Sequence, residues 1–323
     1  MGMSVESSLL PLVLITHGVP LEHLAPLEGV ARIIMGPTDG SLLQRGEVLR
    51  LAPNLAGIIN QAELRIDREL VAAAPNLRVV ANVSIGIDNI DVPLLQSRAI
   101  VATHVPNGFT EATADCTLGM ILSLARRLGE ADRFVRARLW KDFRPGSWDG
   151  TLLAGKTLGI VGYGKIGRAV QRRAEAFGMK VIHYRRSSSL EAGYKPLAQL
   201  LTESDFVSLH TPLNAESDRL MNSERIRLMK PGAFLINMSR GKVVVESALV
   251  TALKSGHLSG AALDVFENEP EVHPALLEMT QVILTPHLGG GTREDRRQAR
   301  LLCAENVAAV LLGKPPLTPV PGL

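Results

Sequence analysis

The sequence predicts an α/β fold of two doubly wound parallel sheets. Three observations carry that prediction. Short runs of apolar and β-branched residues alternate with helix-like patterns, and the alternation occurs twice along the chain. The runs are apolar nearly throughout, as strands covered on both faces are. One of them leads straight into a glycine turn that opens a helix. With 323 residues, 46% of them hydrophobic, the chain can build two domains and bury a large core.

Taken in order, the first series is Leu12 to Thr16, Arg32 to Met35, Gly57 to Asn60, Val79 to Val83 and Ile100 to Thr103. The apolar stretch from Leu9 to Ile15 is short, contains Pro11 and has no basic leader. It reads as the first strand rather than a signal peptide or a membrane span. Gly2 opens no myristoylation motif, because Glu6 stands at the Ser/Thr position. An Ala- and Leu-rich helical pattern runs from Thr110 to Arg127, and Trp140 to Gly150 reads as an irregular arm. The second series is Leu158 to Val161, Val181 to Tyr184, Phe206 to His210, Phe234 to Met238, Ala261 to Val265 and Val282 to Thr285. A last helix, Arg293 to Leu312, can cross back to the first domain and make it discontinuous.

The net charge of +3 is too small to imply binding to nucleic acid or to an anionic membrane surface. Cys116 and Cys303 are the only cysteines, which suggests neither a disulfide framework nor a cysteine-based metal site. A reducing cytoplasm fits. No metal is expected.

The glycine turn is Gly162, Tyr163, Gly164, Lys165, Ile166, Gly167, a G-x-G-x-x-G with an apolar strand before it and a helical pattern, Ala169 to Phe177, after it. Gly162 permits the tight turn, Gly164 lets the backbone approach a pyrophosphate, and Gly167 lets the helix pack close to the strand. The free N–H groups and positive helix end then face the phosphates. The competing reading is a glycine-rich turn with no ligand, but the strand–turn–helix context favours a dinucleotide. In a NAD-type site an acid ends the second strand and binds the ribose hydroxyls. Here Lys180 to Tyr184 is followed by Arg185, Arg186 and a run of Ser187, Ser188 and Ser189, and no acid appears until Glu191. Two guanidiniums and hydroxyls suit a 2′-phosphate, which a carboxylate would repel. NADP(H) is therefore favoured over NAD(H), against the alternative of a solvated basic turn.

A hydride-transfer enzyme acting on a keto acid needs a cation for the substrate carboxylate and carbonyl, an acid for the emerging alkoxide, and a group that tunes that acid. Strand ends in the second series offer Arg240, Asp264, Glu269 and His287, with His210 as a rival histidine at another strand end. Ligands in such sheets bind beyond the carboxyl ends of strands, so these residues can converge where the glycine turn points. Spacing alone leaves His287 and His210 both open.

From about Asp67 to Gly313 these segments resemble the D-2-hydroxyacid dehydrogenase family, in particular its glyoxylate/hydroxypyruvate reductase branch. The matching motifs are Asn82 to Asp91 (NVSIGIDNID), Ala114 to Met120, the Gly162 turn, His210 to Leu213, Met229 to Ala233, Asn237 to Gly241 (NMSRG), Asp264 to Pro270 (DVFENEP) and Thr285 to Gly289 (TPHLG). The resemblance implies two Rossmann-like domains with an interdomain cleft. Residues 1–104 and 293–323 would bind substrate, and 105–292 would bind the dinucleotide. It implies that Arg240 grips the substrate carboxylate and carbonyl and that His287 exchanges the proton. Glu269 would hydrogen-bond His287 and favour its protonated form. Backbone N–H groups of Ile85 and Gly86 would bind the carboxylate. Asp264 would bind the nicotinamide carboxamide. Residues Tyr163 to Ile166 and Arg185 to Ser187 would hold the phosphates, with Met238 and Thr211 along the cofactor path, which gives His210 a neighbouring role. The arm within 110–150 resembles a dimer arm, so a homodimer is expected.

Two departures stand out. Val245 replaces the family's aspartate after the Arg-Gly motif, and Gly290 and Gly291 replace a Ser-Ala pair after the histidine. If Val245 caps the next helix, the loss is on the order of 1 kcal/mol. The first 60 residues match only loosely. Glu269 stands where a formate dehydrogenase would have glutamine, and a phosphoglycerate dehydrogenase would favour NAD. Larger acids such as 2-ketogluconate or aryl pyruvates stay open, as does a dinucleotide-sensing, corepressor-like scaffold. The scaffold would keep the fold without needing Arg240, Glu269 and His287 together. NADPH-dependent reduction of glyoxylate and hydroxypyruvate to D-2-hydroxy acids is the expected activity.

Overall fold

A computed structural model describes residues 10–61, 63–187 and 190–322. Gly2, Glu6, Leu9, Ser188 and Ser189, named above, lie outside the described residues. The chain divides into two compact units, Met1–Phe109 with Thr292–Leu323, and Thr110–Gly291.

The first unit holds β1 (Leu12–Ile15), β2 (Arg32–Met35), β3 (Leu55–Asn60), β4 (Val79–Asn82) and β5 (Val101–Thr103). They form one parallel sheet in the order β2-β1-β3-β4-β5. Along β1, Leu14 enters one apolar cluster while Val13 and Ile15 enter another on the opposite face. Each of the three is fully buried, and burying such a side chain is worth roughly 1.5–3 kcal/mol. The helix Arg293–Leu311 covers the second of these faces with Ala299, Cys303, Ala304 and Val307.

The second unit holds β6 (Thr157–Val161), β7 (Lys180–Tyr184), β8 (Phe206–Leu209), β9 (Ala233–Asn237), β10 (Leu258–Leu263) and β11 (Val282–Leu284). Their order is β11-β10-β9-β8-β6-β7, all parallel. The chain places β7 on one side of β6 and β8 on the other, so the winding reverses at the carboxyl end of β6. Such a switch point leaves a crevice where ligands of doubly wound sheets bind. In the first unit the same reversal falls between β1 and β3.

Most expected strands appear within a residue or two of their predicted ends. Two helices differ. The one after the glycine turn begins at Lys165, not Ala169. The pattern from Thr110 breaks at Arg127, whose φ of 54° ends the first helix (Thr110–Ala125) and begins a second (Leu128–Arg136). The arm from Trp140 to Gly150 contains neither helix nor strand.

Candidate active site

The glycine turn sits at the switch point of the six-stranded sheet, and its three glycines meet three different surroundings. Gly162 has φ of 97°, and a β-carbon there would stand 2.5 Å from the His210 carbonyl carbon. At Gly167 a β-carbon would lie 2.6 Å from the Gly162 oxygen, so the helix Lys165–Ala176 can approach its strand only without one. At Gly164 a β-carbon would meet nothing within 4 Å. Protein packing therefore requires the first and third glycines, while the second faces open space at the helix N-terminus. That arrangement fits a pyrophosphate received on backbone N–H groups.

Tyr163 stacks on His183 of β7 with ring centroids 3.5 Å apart, and the Arg168 guanidinium lies 4.4 Å over the tyrosine ring. Tyr163 also donates its hydroxyl hydrogen bond to Gln171. The arginines after β7 are engaged with carboxylates. Arg186 pairs with Glu216 at 2.6 Å. Arg185 lies 4.0 Å from Glu191, which accepts two hydrogen bonds from Arg168 at 2.9 and 3.0 Å. Sequence spacing leaves Glu191 too far along the chain to matter, yet the turn after β7 folds it back onto the basic cluster. Ser187 follows in the same bend.

The strand ends beyond β9, β10 and β11 gather Arg240, Glu269 and His287. His287 Nδ1 is 2.9 Å from Glu269 Oε2, and Glu269 Oε1 accepts from the Phe266 N–H at 3.1 Å. Burial alone would raise the Glu269 pKa. The hydrogen bond and charge of His287, the Phe266 N–H and the charge of Arg240 outweigh it and hold the carboxyl below its ordinary value. The His287 backbone adopts φ of 51°, uncommon for a residue other than glycine. The Arg240 loop is tied by Asn237, whose Nδ2 donates to the Arg240 carbonyl at 3.0 Å and whose Oδ1 accepts from Ser239.

Three residues outside the candidate triad hold this geometry. Gly241 lies so close to the Phe266 carbonyl that a β-carbon would stand 1.8 Å from it. The buried Glu246 carboxylate accepts from the Glu267 N–H at 2.9 Å, anchoring the turn before Glu269. Asp264, also buried, accepts from Thr285 Oγ1 at 2.6 Å and from the N–H groups of Leu288 and Gly289 at 2.8 Å each. Its carboxylate thus staples the loop on both sides of His287. Sequence reading singles out Asp264 as a cofactor contact and gives Gly241 and Glu246 no part. A glycine directly after Arg240 was the one signal available. Met238 packs beneath this loop, with its methyl 2.8 Å from where a Gly289 β-carbon would be.

His210 is a different kind of histidine. Its Nε2 is 2.8 Å from Ser208 Oγ, its Nδ1 is buried without a partner among the described residues, and burial pushes its pKa down to about 3. Together with Thr211 it forms the wall against which Gly162 turns. His287, in contrast, is half exposed and carboxylate-paired. In the first unit, Ile85 and Gly86 follow β4. Their carbonyls are taken, by His104 Nδ1 at 2.9 Å and by Ser84 Oγ at 2.7 Å, and their N–H groups donate to nothing among the described residues.

An imidazole held by a carboxylate near a guanidinium, in the unit that holds the glycine turn, is equipped to move a proton on an anionic carbonyl compound. The family model for the D-isomer specific 2-hydroxyacid dehydrogenase NAD-binding domain matches residues 118–289. Glyoxylate reductase of Pyrococcus furiosus is 40% identical over 318 residues, covering 95% of this chain and 94% of that one. The chain belongs to the D-2-hydroxyacid dehydrogenases. Among solved structures, the TT0316 protein from Thermus thermophilus matches with a TM-score of 0.91 and 41% identity over 96% of this chain and 99% of that one. The NADPH-dependent glyoxylate/hydroxypyruvate reductase of Sinorhizobium meliloti, solved with NADP and malonate, matches with a TM-score of 0.82 and 32% identity over 96% and 97%. This dehydrogenase therefore uses a nicotinamide dinucleotide and interconverts a 2-keto and a 2-hydroxy acid. Among its described residues no helix is long and apolar enough to cross a membrane.

Proposed function

We propose that this dehydrogenase reduces small 2-keto acids, glyoxylate and hydroxypyruvate first among them, to D-2-hydroxy acids with NADPH. The observation that carries the reading is the Arg240, Glu269 and His287 group beyond the carboxyl ends of β9 to β11, in the unit that holds the glycine turn. The cofactor, when bound, supplies the hydride. His287 gives its Nε2 proton to the substrate oxygen, because Glu269 holds the proton on Nδ1. Arg240 binds the carboxylate and polarises the carbonyl. Asp264 keeps the histidine loop in place and meets the nicotinamide carboxamide with what acceptor capacity remains. Ile85 and Gly86 offer their unused N–H groups to the carboxylate. Residues Tyr163 to Ile166 line the pyrophosphate, with Thr211 and Met238 along the cofactor path.

NADPH over NADH rests on Arg185 and Arg186, which exchange their carboxylate partners for a 2′-phosphate, and on the Ser187 hydroxyl beside them. NADPH is normally held reduced in cells, which favours the hydroxy acid. A homodimer through the 110–150 arm is part of the proposal, supported by Leu139, Trp140 and Phe143 at 57%, 61% and 82% exposure, as is a cytoplasmic location. Loss of reduced-nicotinamide absorbance, followed with NADPH and NADH across glyoxylate, hydroxypyruvate, pyruvate and hydroxyphenylpyruvate, tests the reading. Rapid NADPH oxidation with the two smallest polar acids is expected. A preference for NADH, or no turnover of either acid, would overturn it.

A further inference from the structure

The switch point of the first sheet carries its own cluster of charge. His17 lies two residues past β1 and Gln61 one residue past β3, on the strands where the winding reverses. From the helix Arg293–Leu311, Arg300 Nη2 approaches His17 Nε2 at 3.1 Å, and Arg296 Nη1 donates to Gln61 Oε1 at 3.3 Å. Arginine only donates, so the His17 nitrogen facing Arg300 is an acceptor and its proton sits on Nδ1. Burial, with the charges of Arg300 and Arg296 adding, pushes the His17 pKa down to about 4, and the ring is neutral at ordinary pH.

A consistent imbalance follows. Both side chains that meet the arginines spend their acceptors on them, leaving His17 Nδ1–H and Gln61 Nε2–H as buried donors without a partner among the described residues. The Arg300 Nε–H is in the same position. Neither Arg296 nor Arg300 forms an ion pair among the described residues, and the two repel each other enough to lower the Arg300 pKa beyond the effect of its burial. Glu63, on the same strand-end loop, accepts the Thr16 hydroxyl at 2.8 Å instead. Two partly exposed guanidiniums and three unused donors at a switch point make a positive site whose missing component is an acceptor with negative charge.

We propose that His17, Gln61, Arg296 and Arg300 form an oxyanion subsite that receives the distal carboxylate or phosphate of a 2-keto acid. The anion meets the exposed edges of Arg296 and Arg300, and the buried donors add to the field. The assignment to substrate rests on the function proposed above, in which Ile85 and Gly86 hold the substrate's first carboxylate. Asn60 Nδ2 donates to Asn82 Oδ1 at 3.1 Å, and Asn82 Nδ2 to the Gly86 carbonyl at 3.4 Å, so the two places share one hydrogen-bonded edge. β1 and β4 are two strand spacings apart, about 10 Å. A 2-keto acid with a distal anionic group can bridge that span, whereas glyoxylate, which has none, leaves the subsite empty.

The test uses the full chain with NADPH. kcat/KM is measured for glyoxylate, oxaloacetate, 2-ketoglutarate and 3-phosphohydroxypyruvate in the wild type, Arg300→Met, Arg296→Met and Arg300→Lys. In parallel, inorganic sulfate is titrated against thermal unfolding of each protein. The expected result is a fall of tenfold or more, mainly through KM, in the ratio of dianionic acid to glyoxylate for both Met variants. Arg300→Lys should recover part of it, and the sulfate-induced rise in Tm should shrink with the ratio. If sulfate stabilisation depends on Arg300 while the ratios stay fixed, the site takes a free anion and the substrate assignment is overturned. If neither readout depends on Arg296 or Arg300, the subsite is overturned, whereas normal glyoxylate turnover in the same assay leaves the proposed function standing. If no acid is reduced at all, the proposed function fails, and sulfate binding alone decides the subsite.

Discussion

At Gly241 the chain leaving Arg240 runs directly against the Phe266 carbonyl, with no room for even one methyl group. Gly241→Ala should push the Arg240 loop away from the Phe266–Glu269 turn. A displacement near 1 Å at such a site costs about 100-fold in rate, so we expect kcat/KM to fall by about that factor while NADPH binding, read by fluorescence, is largely kept. A residue of opposite character is Glu191, a carboxylate folded onto Arg168 and close to Arg185. It competes for the same cations that would meet a 2′-phosphate. Glu191→Gln should raise the NADPH-to-NADH ratio of specificity constants several-fold, and an unchanged ratio would remove Arg185 from the proposed clamp. Because the Glu269 pKa is depressed, its pairing with His287 should persist above the ordinary carboxylate range and be lost only as pH falls below it. Glu269→Gln should remove the dependence of kcat that this group imposes at acid pH.

Among the elements, the helix Glu246–Lys254 begins after Val245, whose side chain makes no capping hydrogen bond. The residue is buried at 8% exposure, so a carboxylate there would lose packing as it gained a cap. Val245→Thr keeps the shape and adds the hydroxyl. Urea unfolding should show a gain of about 1 kcal/mol, with kcat little changed. The strands were legible because their periodicity is set by burial on both faces, which the sequence displays directly. The helix break at Arg127 was not, since a left-handed residue other than glycine leaves no mark in composition.

For the molecule as a whole, four histidines, His17, His23, His183 and His210, have pKa values lowered first by burial. In the unfolded chain each returns to its ordinary value of 6.5. The unfolded state therefore binds more protons below that pH, and stability is complete above it and lost as pH falls. The window runs from about 6.5 down to about 4 for His17 and about 3 for His210. Urea midpoints measured from pH 7.5 to pH 4 should fall steadily, and His210→Asn should flatten that slope whatever it does to stability at neutral pH. The exposed apolar side chains of the arm should likewise be covered in solution. Phe143→Asp with Trp140→Ser should shift the sedimentation coefficient from dimer to monomer, and a monomeric parent chain would refute the arm's role.

The sequence by itself determined the two parallel sheets, the glycine turn and the family, because strand burial and turn geometry are local demands that particular residues answer in place. Gly162 and Gly167 are required by contacts formed within one strand–turn–helix unit and its neighbouring strand, and that requirement is visible in spacing. Only the tertiary structure decided how His287 and His210 differ. The two stand at similar strand ends close to a proline, and what separates them is a carboxylate 2.9 Å away in one case and burial beside Ser208 in the other. It also decided that Glu191 returns to the basic turn, that Asp264 staples the histidine loop, and that Arg296 and Arg300 stand at a strand end nearly the whole chain away from them. Charge and hydrogen-bond balance are sums over neighbours in space, and neighbours distant in sequence enter those sums only once the chain has folded.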